Sequence, residues 1–260
     1  MDFEHICLSR TGDFATITMN RPQRRNALSL AHMRELITAF TLVGDSDATG
    51  IVLAGNGPVF SAGHDFADVA DADLAAVRSL LGTCTDLMTL VQQVPQPVVA
   101  RVHGLATAAG CQLVAACDLA IAGEKARFGL SGVNFGLFCT TPLVAVGRTI
   151  SRKRAMEMAM TGQLYSAADV ERFGLVNRVV PEGRALEEAQ ALAKTIAQQS
   201  GPTLAIGKRA FYTQIEQPLD QAYSVASLAM IDNLAESDCV EGMSAFLEKR
   251  RPIWERDAGE

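Results

Sequence analysis

Two short stretches carry the residue types that chemistry on a carbonyl oxygen needs. The first is Gly55-Asn56-Gly57-Pro58-Val59-Phe60-Ser61-Ala62-Gly63-His64-Asp65, and the second is Val102-His103-Gly104-Leu105-Ala106-Thr107-Ala108-Ala109-Gly110-Cys111-Gln112. Each follows a run that reads as a strand, 50–54 in one case and 98–102 in the other. The loops therefore fall at strand carboxyl ends, where α/β proteins place ligands. Small residues keep the backbone open, and the second stretch starts a helix, whose first turn has unpaired N–H groups and a positive dipole end. Two such N–H groups converging on one oxygen make an oxyanion hole. The plainer reading of either stretch alone is a tight strand-to-helix turn with close packing, and it stays open at this point.

Competing chemistries fail on spacing. A Walker A loop needs G-x-x-x-x-G-K-[ST], but five residues separate Gly57 from Gly63 and His64 follows in place of lysine. A dinucleotide fingerprint needs a third glycine where Phe60 stands. The six cysteines contain no C-x-x-C pair and the four histidines lie far apart, so zinc and dithiol readings have no signature. Most of these thiols read as small buried hydrophobes.

The elements around the two loops alternate. Phe14–Met19 reads as a strand, with Gly12-Asp13 a hairpin turn from an earlier strand near 6–8. Ser29 stands at an N-cap, and Leu30, Met33, Leu36, Ile37 and Phe40 follow at helical spacing. A second helix carries Leu74, Val77, Leu81, Leu87, Met88 and Val91 and stops before Pro95. A small-residue helix over 108–117 separates the strand at 98–102 from one at 118–122. This rhythm predicts an α/β architecture with parallel pairing. From Ser151 onward helices dominate, with 175–180 the one plausible strand, and the last sixty residues read as helical. Ala222, Tyr223, Ala226, Met230 and Leu234 form one apolar stripe; Val240, Met243 and Leu247 form another. Such stripes need a surface to cover, either the chain's own body or a partner subunit. The expected division is an α/β core over 1–200 and a helical oligomerisation region over 201–260.

Composition bounds the setting. The 260 residues are 48% apolar and 20% charged, which excludes wholesale disorder. A net charge of −6 gives no overall pull toward nucleic acid. No run approaches a membrane span, and Met1-Asp2-Phe3-Glu4 does not open like a signal peptide, so no membrane partner is expected. The expected location is the cytoplasm, or a mitochondrial-matrix-like compartment if a transit peptide was removed.

Four ordered segments together resemble the crotonase (enoyl-CoA hydratase/isomerase) family. Asn20-Arg21-Pro22-Gln23-Arg24-Arg25-Asn26-Ala27-Leu28 is similar to its N-R-P-x-x-x-N-A-L, and Phe60-Ser61-Ala62-Gly63-His64-Asp65 to its F-x-A-G-x-D. The run from Gly104 to Asp118 is similar to G-x-A-x-G-G-G-x-E-L-x-x-x-C-D. Glu241-Gly242-Met243-Ser244-Ala245-Phe246-Leu247-Glu248-Lys249-Arg250 is similar to E-G-x-x-A-F-x-E-K-R. The resemblance implies a spiral of ββα units and a C-terminal helical region that makes homotrimers, or dimers of trimers. It implies an acyl-coenzyme A thioester as ligand and no separate cofactor, coenzyme A being part of the substrate. The thioester oxygen would take hydrogen bonds from the backbone N–H of Ala62 and of Ala109. Arg24 and Arg25 would lie near the coenzyme A phosphates, and Phe246 and Lys249 of a neighbouring subunit near its adenine and ribose phosphate. Ala27, Gly63, His64, Asp65, Gly110 and Thr140 would line the substrate, with Asp65 a turn cap rather than a chemical group.

The family's hydratases use two glutamates. The matching positions here are Gln112 and Gly132, and Thr140 stands where some relatives place an aspartate. Glutamine orients water without taking a proton at neutral pH, and glycine contributes no side chain. His64 follows the first turn and is the one candidate with an ordinary pKa near neutrality; it faces the pocket or bonds locally. Two hypotheses follow: an acyl-CoA enzyme with weak or altered hydratase chemistry, and a non-catalytic acyl-CoA binder or regulatory subunit.

Overall fold

The computed structural model describes residues 2–70 and 72–257. It opens with an antiparallel hairpin, β1 (Ile6–Thr11) and β2 (Phe14–Met19), paired from Ile6↔Met19 to Thr11↔Phe14. Helix α1 (Leu30–Gly44) starts at Ser29, whose hydroxyl accepts the His32 N–H at 3.2 Å, as its cap position predicts. One unit then repeats three times: a long strand, a short strand and a helix. The first is β3 (Gly50–Gly55), β4 (Val59–Ser61) and α2 (Leu74–Gln93); the second is β5 (Val98–Val102), β6 (Leu105–Thr107) and α3 (Ala109–Ala116). The third is β7 (Leu119–Gly123), β8 (Arg127–Gly129) and α4 (Thr140–Thr149). Helix α5 (Arg152–Thr161), β9 (Leu164–Ser166), α6 (Ala167–Phe173), β10 (Arg178–Val180) and α7 (Ala185–Ala197) follow. The chain ends in α8 (Gly201–Gln214), α9 (Leu219–Leu234) and α10 (Ser237–Glu248).

Long and short strands of successive units stack separately. The six-stranded sheet runs β1-β2-β3-β5-β7-β10 and the four-stranded sheet β4-β6-β8-β9. Pairs β3–β5, β5–β7, β4–β6 and β6–β8 are all parallel, which makes the ββα spiral. The fold is thus the expected α/β one. The short strands escape a sequence reading because three residues are too few for a period to register. Two boundaries also move: the strand expected over 118–122 begins at Leu119, and that expected over 175–180 shrinks to Arg178–Val180.

The main core lies among the two sheets, α1 and α2, with Phe40, Phe60, Phe128, Ile17 and Leu53 fully enclosed. On the outer face α7 lays Ala185, Ala189 and Ala193 against Val52, Val99 and Ile121. Among the described residues α2 is the one helix long and apolar enough to cross a membrane by length and composition, contrary to the expectation that no run approaches a span. One face of it, Leu80, Cys84, Leu87, Met88 and Val91, is buried in the core.

The helical end is pinned by charge. Lys208 of α8 reaches Asp118 Oδ2 at 2.7 Å and the carbonyl oxygens of Val91 and Gln96 at 2.9 Å each. Asp118 also accepts from the Val98 N–H at 2.7 Å and the Tyr212 hydroxyl at 2.9 Å. Burial pulls the Lys208 pKa down and the facing carboxylate opposes it. Every charge in the cluster is paired, so removing one partner strands the other. Replacing Lys208 with Met should cost about 3–5 kcal/mol in urea unfolding, and adding Asp118→Asn should recover part of that loss.

Candidate functional site

The first turn is built on a buried asparagine. Asn26 is fully enclosed; its Oδ1 accepts the Arg21 N–H at 2.9 Å and its Nδ2 donates to the carbonyls of Asn56 and Val59. Ser61 Oγ donates to the Asn26 carbonyl at 2.9 Å. One side chain thus ties the 21–26 segment to both ends of the 56–59 loop. Arg21 adds bonds to the Ala27 carbonyl and Ser29 Oγ, each 2.9 Å. Asp65 closes the turn by pairing with Arg24 at 2.8 Å and Arg21 at 3.5 Å and by accepting from the Ala67 N–H. Burial pushes its carboxyl pKa up, but Arg24, the Ala67 N–H and Arg21 outweigh this and hold it below the usual range. Asp65 is a capping and anchoring group, as its sequence position predicts.

Two glycines bring this turn against the start of α3. A Cβ on Gly63 would stand 3.0 Å from Ala108 Cβ, 3.1 Å from the Thr107 oxygen and 3.2 Å from the Ala109 nitrogen. In return, a Cβ on Gly110 would collide with the Ser61 carbonyl oxygen and stand 2.8 Å from Ser61 Cβ. Residues 62 and 109 therefore belong to backbones in direct contact. Ala108, just before the helix, has φ 50 and ψ −121, a conformation that strains a residue with a Cβ.

The amide inventory corrects one expectation. The Ala62 N–H is already donated to the Arg25 carbonyl at 3.1 Å, so it is not free for a ligand. Gly63, at φ +89, then redirects the chain, and the next bridge to Leu28 uses the Gly63 oxygen and the Asp65 N–H. In a parallel bridge the central residue's own N–H points to the other side. The His64 N–H therefore faces away from Leu28 and has no acceptor among the described residues. The Ala109 N–H, at the first position of α3, has none either. His64 and Ala109 are thus both donors without an acceptor among the described residues, one on each side of the Gly63 contact, as are Gly110 and Cys111 further into the first turn of α3. The sequence signal was present: the chain reverses at the glycine, so the donor falls after it.

Two side-chain atoms here are also unpaired. Gln112, one turn into α3, is buried with Oε1 lacking a partner, and helix geometry leans its side chain back toward Ala109. The half-buried His64 ring presents Nδ1 to the Leu28 carbonyl at 3.4 Å and leaves Nε2 enclosed without a partner. Burial lowers the His64 pKa below its usual 6.5, opposed by the Leu28 carbonyl and Asp68, so the ring is neutral at pH 7. At Gly132 there is no room for any side chain: a Cβ would collide with the Leu137 carbonyl oxygen and lie 2.8 Å from Cys139 Sγ. Substitution at 132 cannot supply a carboxylate unless this loop moves. Cys139 is buried, accepts the Gly132 N–H at 3.3 Å and has its thiol pKa raised by burial, which fits packing.

The remaining candidates scatter. Ala27 is buried beneath the first turn, whereas Arg25 and Thr140 are exposed. Arg24 is half-exposed and already tied to Asp65. Phe246 is 82% exposed on α10, and Lys249 caps that helix in a left-handed conformation.

The family model for enoyl-CoA hydratase/isomerase matches residues 10–257. The chain belongs to the enoyl-CoA hydratase/isomerase family. Among curated relatives, the rat mitochondrial enoyl-CoA hydratase domain-containing protein 3 is 48% identical over 240 residues, 92% of this chain and 80% of that one. Among solved structures, an enoyl-CoA hydratase of Mycobacterium smegmatis superposes with a TM-score of 0.94 at 45% identity, covering 96% of this chain and 99% of the other. The human enoyl-coenzyme A hydratase domain-containing protein 3 gives 0.93 at 42% identity, covering 96% and 100%.

In this member of the family Ala108 carries the strain of the turn. Ala108→Gly should raise stability by about 1 kcal/mol in urea unfolding, since relief of the positive φ exceeds the added chain entropy of glycine.

Proposed function

We propose that this chain is an acyl-coenzyme A enzyme of the hydratase/isomerase type, in which the thioester oxygen is held by the N–H groups of His64 and Ala109. The observation that carries the reading is the pair of unpartnered amides on two turns that touch through Gly63. Charge that gathers on a thioester oxygen during enolate formation or attack at the β carbon is what such a pair stabilises. The polar side-chain atoms left free beside them are Gln112 Oε1 and His64 Nε2, an amide that orients water and a neutral imidazole that accepts a proton. Two-carboxylate hydration lacks both its acids, since Gln112 carries an amide and Gly132 has no space for a side chain, so hydratase turnover is weak or altered. Decarboxylation or another enolate reaction needs the oxyanion hole more than paired acids.

One observation favours a second reading. The blocked side-chain position at Gly132 and the untitratable Gln112 suit a non-catalytic acyl-CoA binder. Arg25, exposed beside the first turn, is our candidate for the coenzyme A phosphates, with Arg24 secondary because Asp65 holds it. The mitochondrial location in the rat relative's name favours the matrix-like compartment over the cytoplasm.

Segment 201–260 is assigned to self-association as a homotrimer or a dimer of trimers. Helix α9 buries none of its residues in the single chain, leaving Tyr223, Met230 and Leu234 each more than half exposed. In a trimer, Phe246 and Lys249 would approach a neighbour's ligand. Sedimentation should show a trimer or larger at micromolar concentration; a stable monomer there would remove this assignment.

The central test is calorimetric titration with acetyl-CoA together with turnover on crotonyl-CoA and other acyl-CoAs. Gly63→Ala should force the two turns apart and cut turnover about 10²–10³-fold. His64→Ala keeps the N–H and should retain thioester binding. Unchanged rate and affinity in folded Gly63→Ala protein would overturn the reading, and tight binding without turnover would select the non-catalytic alternative.

A further inference from the structure

Helix α3 begins without the side-chain cap that Ser29 gives α1, and it begins from a strained residue. Ala108 occupies the cap position at φ 50 and ψ −121, with no side-chain hydrogen bond to cap the first turn. Residues with a Cβ avoid positive φ, so the alanine does not adopt this turn by its own preference. Contacts on either side must impose it. The peptide plane after Ala108 contains both its own carbonyl and the Ala109 N–H, and that carbonyl accepts the Gln112 N–H at 3.0 Å. The helix thus holds one side of the joint.

The other side is held by the Gly129 carbonyl at the end of β8. Thr107 and Gly129 face each other on the last rung of the parallel β6–β8 pair. The Gly129 oxygen accepts the Ala108 N–H at 3.0 Å and the Thr107 Oγ1 hydroxyl at 3.2 Å. A carbonyl only accepts, so the Thr107 proton is committed to it. The 2.8 Å contact between Thr107 Oγ1 and Ser131 Oγ therefore has Ser131 as donor. Hydrogen bonds in such a chain polarise and strengthen one another. Thr107 is buried, so water does not compete for its hydroxyl.

Resting on the oxyanion reading above, we infer that Thr107 is a positioning residue. Its hydroxyl holds Ala108 in the strained turn and so keeps the Ala109 N–H aimed at the thioester oxygen. The strain of one such residue is of the same order as one or two hydrogen bonds, so a single hydroxyl decides whether the joint stays or relaxes. Relaxation would tilt the first turn of α3 away from its contact with Gly63. Both bonds of the hydroxyl are spent on Gly129 and Ser131, so Thr107 acts through the backbone and not on the ligand.

The test reads the thioester carbonyl directly. Acetyl-CoA labelled isotopically at that carbon and bound to the full chain should show its infrared stretch at lower frequency than in solution, because N–H donors weaken the C=O bond. Thr107→Val keeps the side-chain shape and orphans no carbonyl, since the Gly129 oxygen retains the Ala108 N–H. It should lose about half of the downshift, one donor of the pair, and lower any turnover about tenfold, with the affinity for free coenzyme A unchanged. Thr107→Ser should restore the downshift. Glycine adopts this turn without strain, so in an Ala108→Gly background Thr107→Val should leave the downshift intact. A full downshift in folded Thr107→Val protein, no recovery in Thr107→Ser, or an equal loss with and without Ala108→Gly would overturn the inference. A wild-type chain that fails to bind acetyl-CoA, or binds it with no downshift, would instead remove the oxyanion reading on which Thr107 depends.

Discussion

The distance between two polypeptide backbones sets what this site can do. Gly63 presses on the nitrogen of Ala109 while Gly110 presses on Ser61, a reciprocal contact in which each turn occupies space a side chain would fill on the other. Amides have fixed reach and direction, so two of them share an acceptor only if their turns approach this closely. The rest of the first turn exists to hold that approach. Asn26 satisfies three backbone groups from inside, and Asp65 ties both flanking arginines to the outer edge. Buried bonds of this kind matter most for what their loss would leave unpaired.

The spiral supplies the second half of the constraint. Each unit passes from the six-stranded sheet to the four-stranded one and then into a helix, so β4 and β6 lie side by side and their following turns are neighbours. Segments more than forty residues apart meet because parallel neighbours deliver successive loops to the same end of the sheet. Lys208, buried against Asp118 at the start of β7, extends this order to the C-terminal helices.

Around the amides the polar groups are few and uncharged. Gln112 and the neutral His64 ring bring one amide and one imidazole, while the carboxylates nearby are spent on structure: Asp65 on arginines and Asp68 on the Leu30 N–H. At Gly132 the loop leaves no space for a side chain, because the Leu137 carbonyl oxygen and Cys139 Sγ fill it. Taken together, the two turns present backbone N–H donors and two uncharged polar side chains, while Asp65 and Asp68 are engaged by arginines and a backbone amide.

Residue order alone determined much of this. The helix cap at Ser29, the strands over 14–19 and 98–102 and the α/β class were all legible, because each rests on local pattern, whereas the pairing of the two glycine-rich turns followed from the family resemblance and not from local pattern. Asp65 as a cap was legible from local pattern too. Which N–H remains free was not: the shift from Ala62 to His64 follows from partners at Arg25 and Leu28, more than thirty residues away. The absence of space at Gly132 and the pairing of Lys208 with Asp118 were likewise decided in three dimensions. Sequence records which groups are available, but hydrogen bonds and excluded volume are properties of pairs, and only the folded chain chooses the partners.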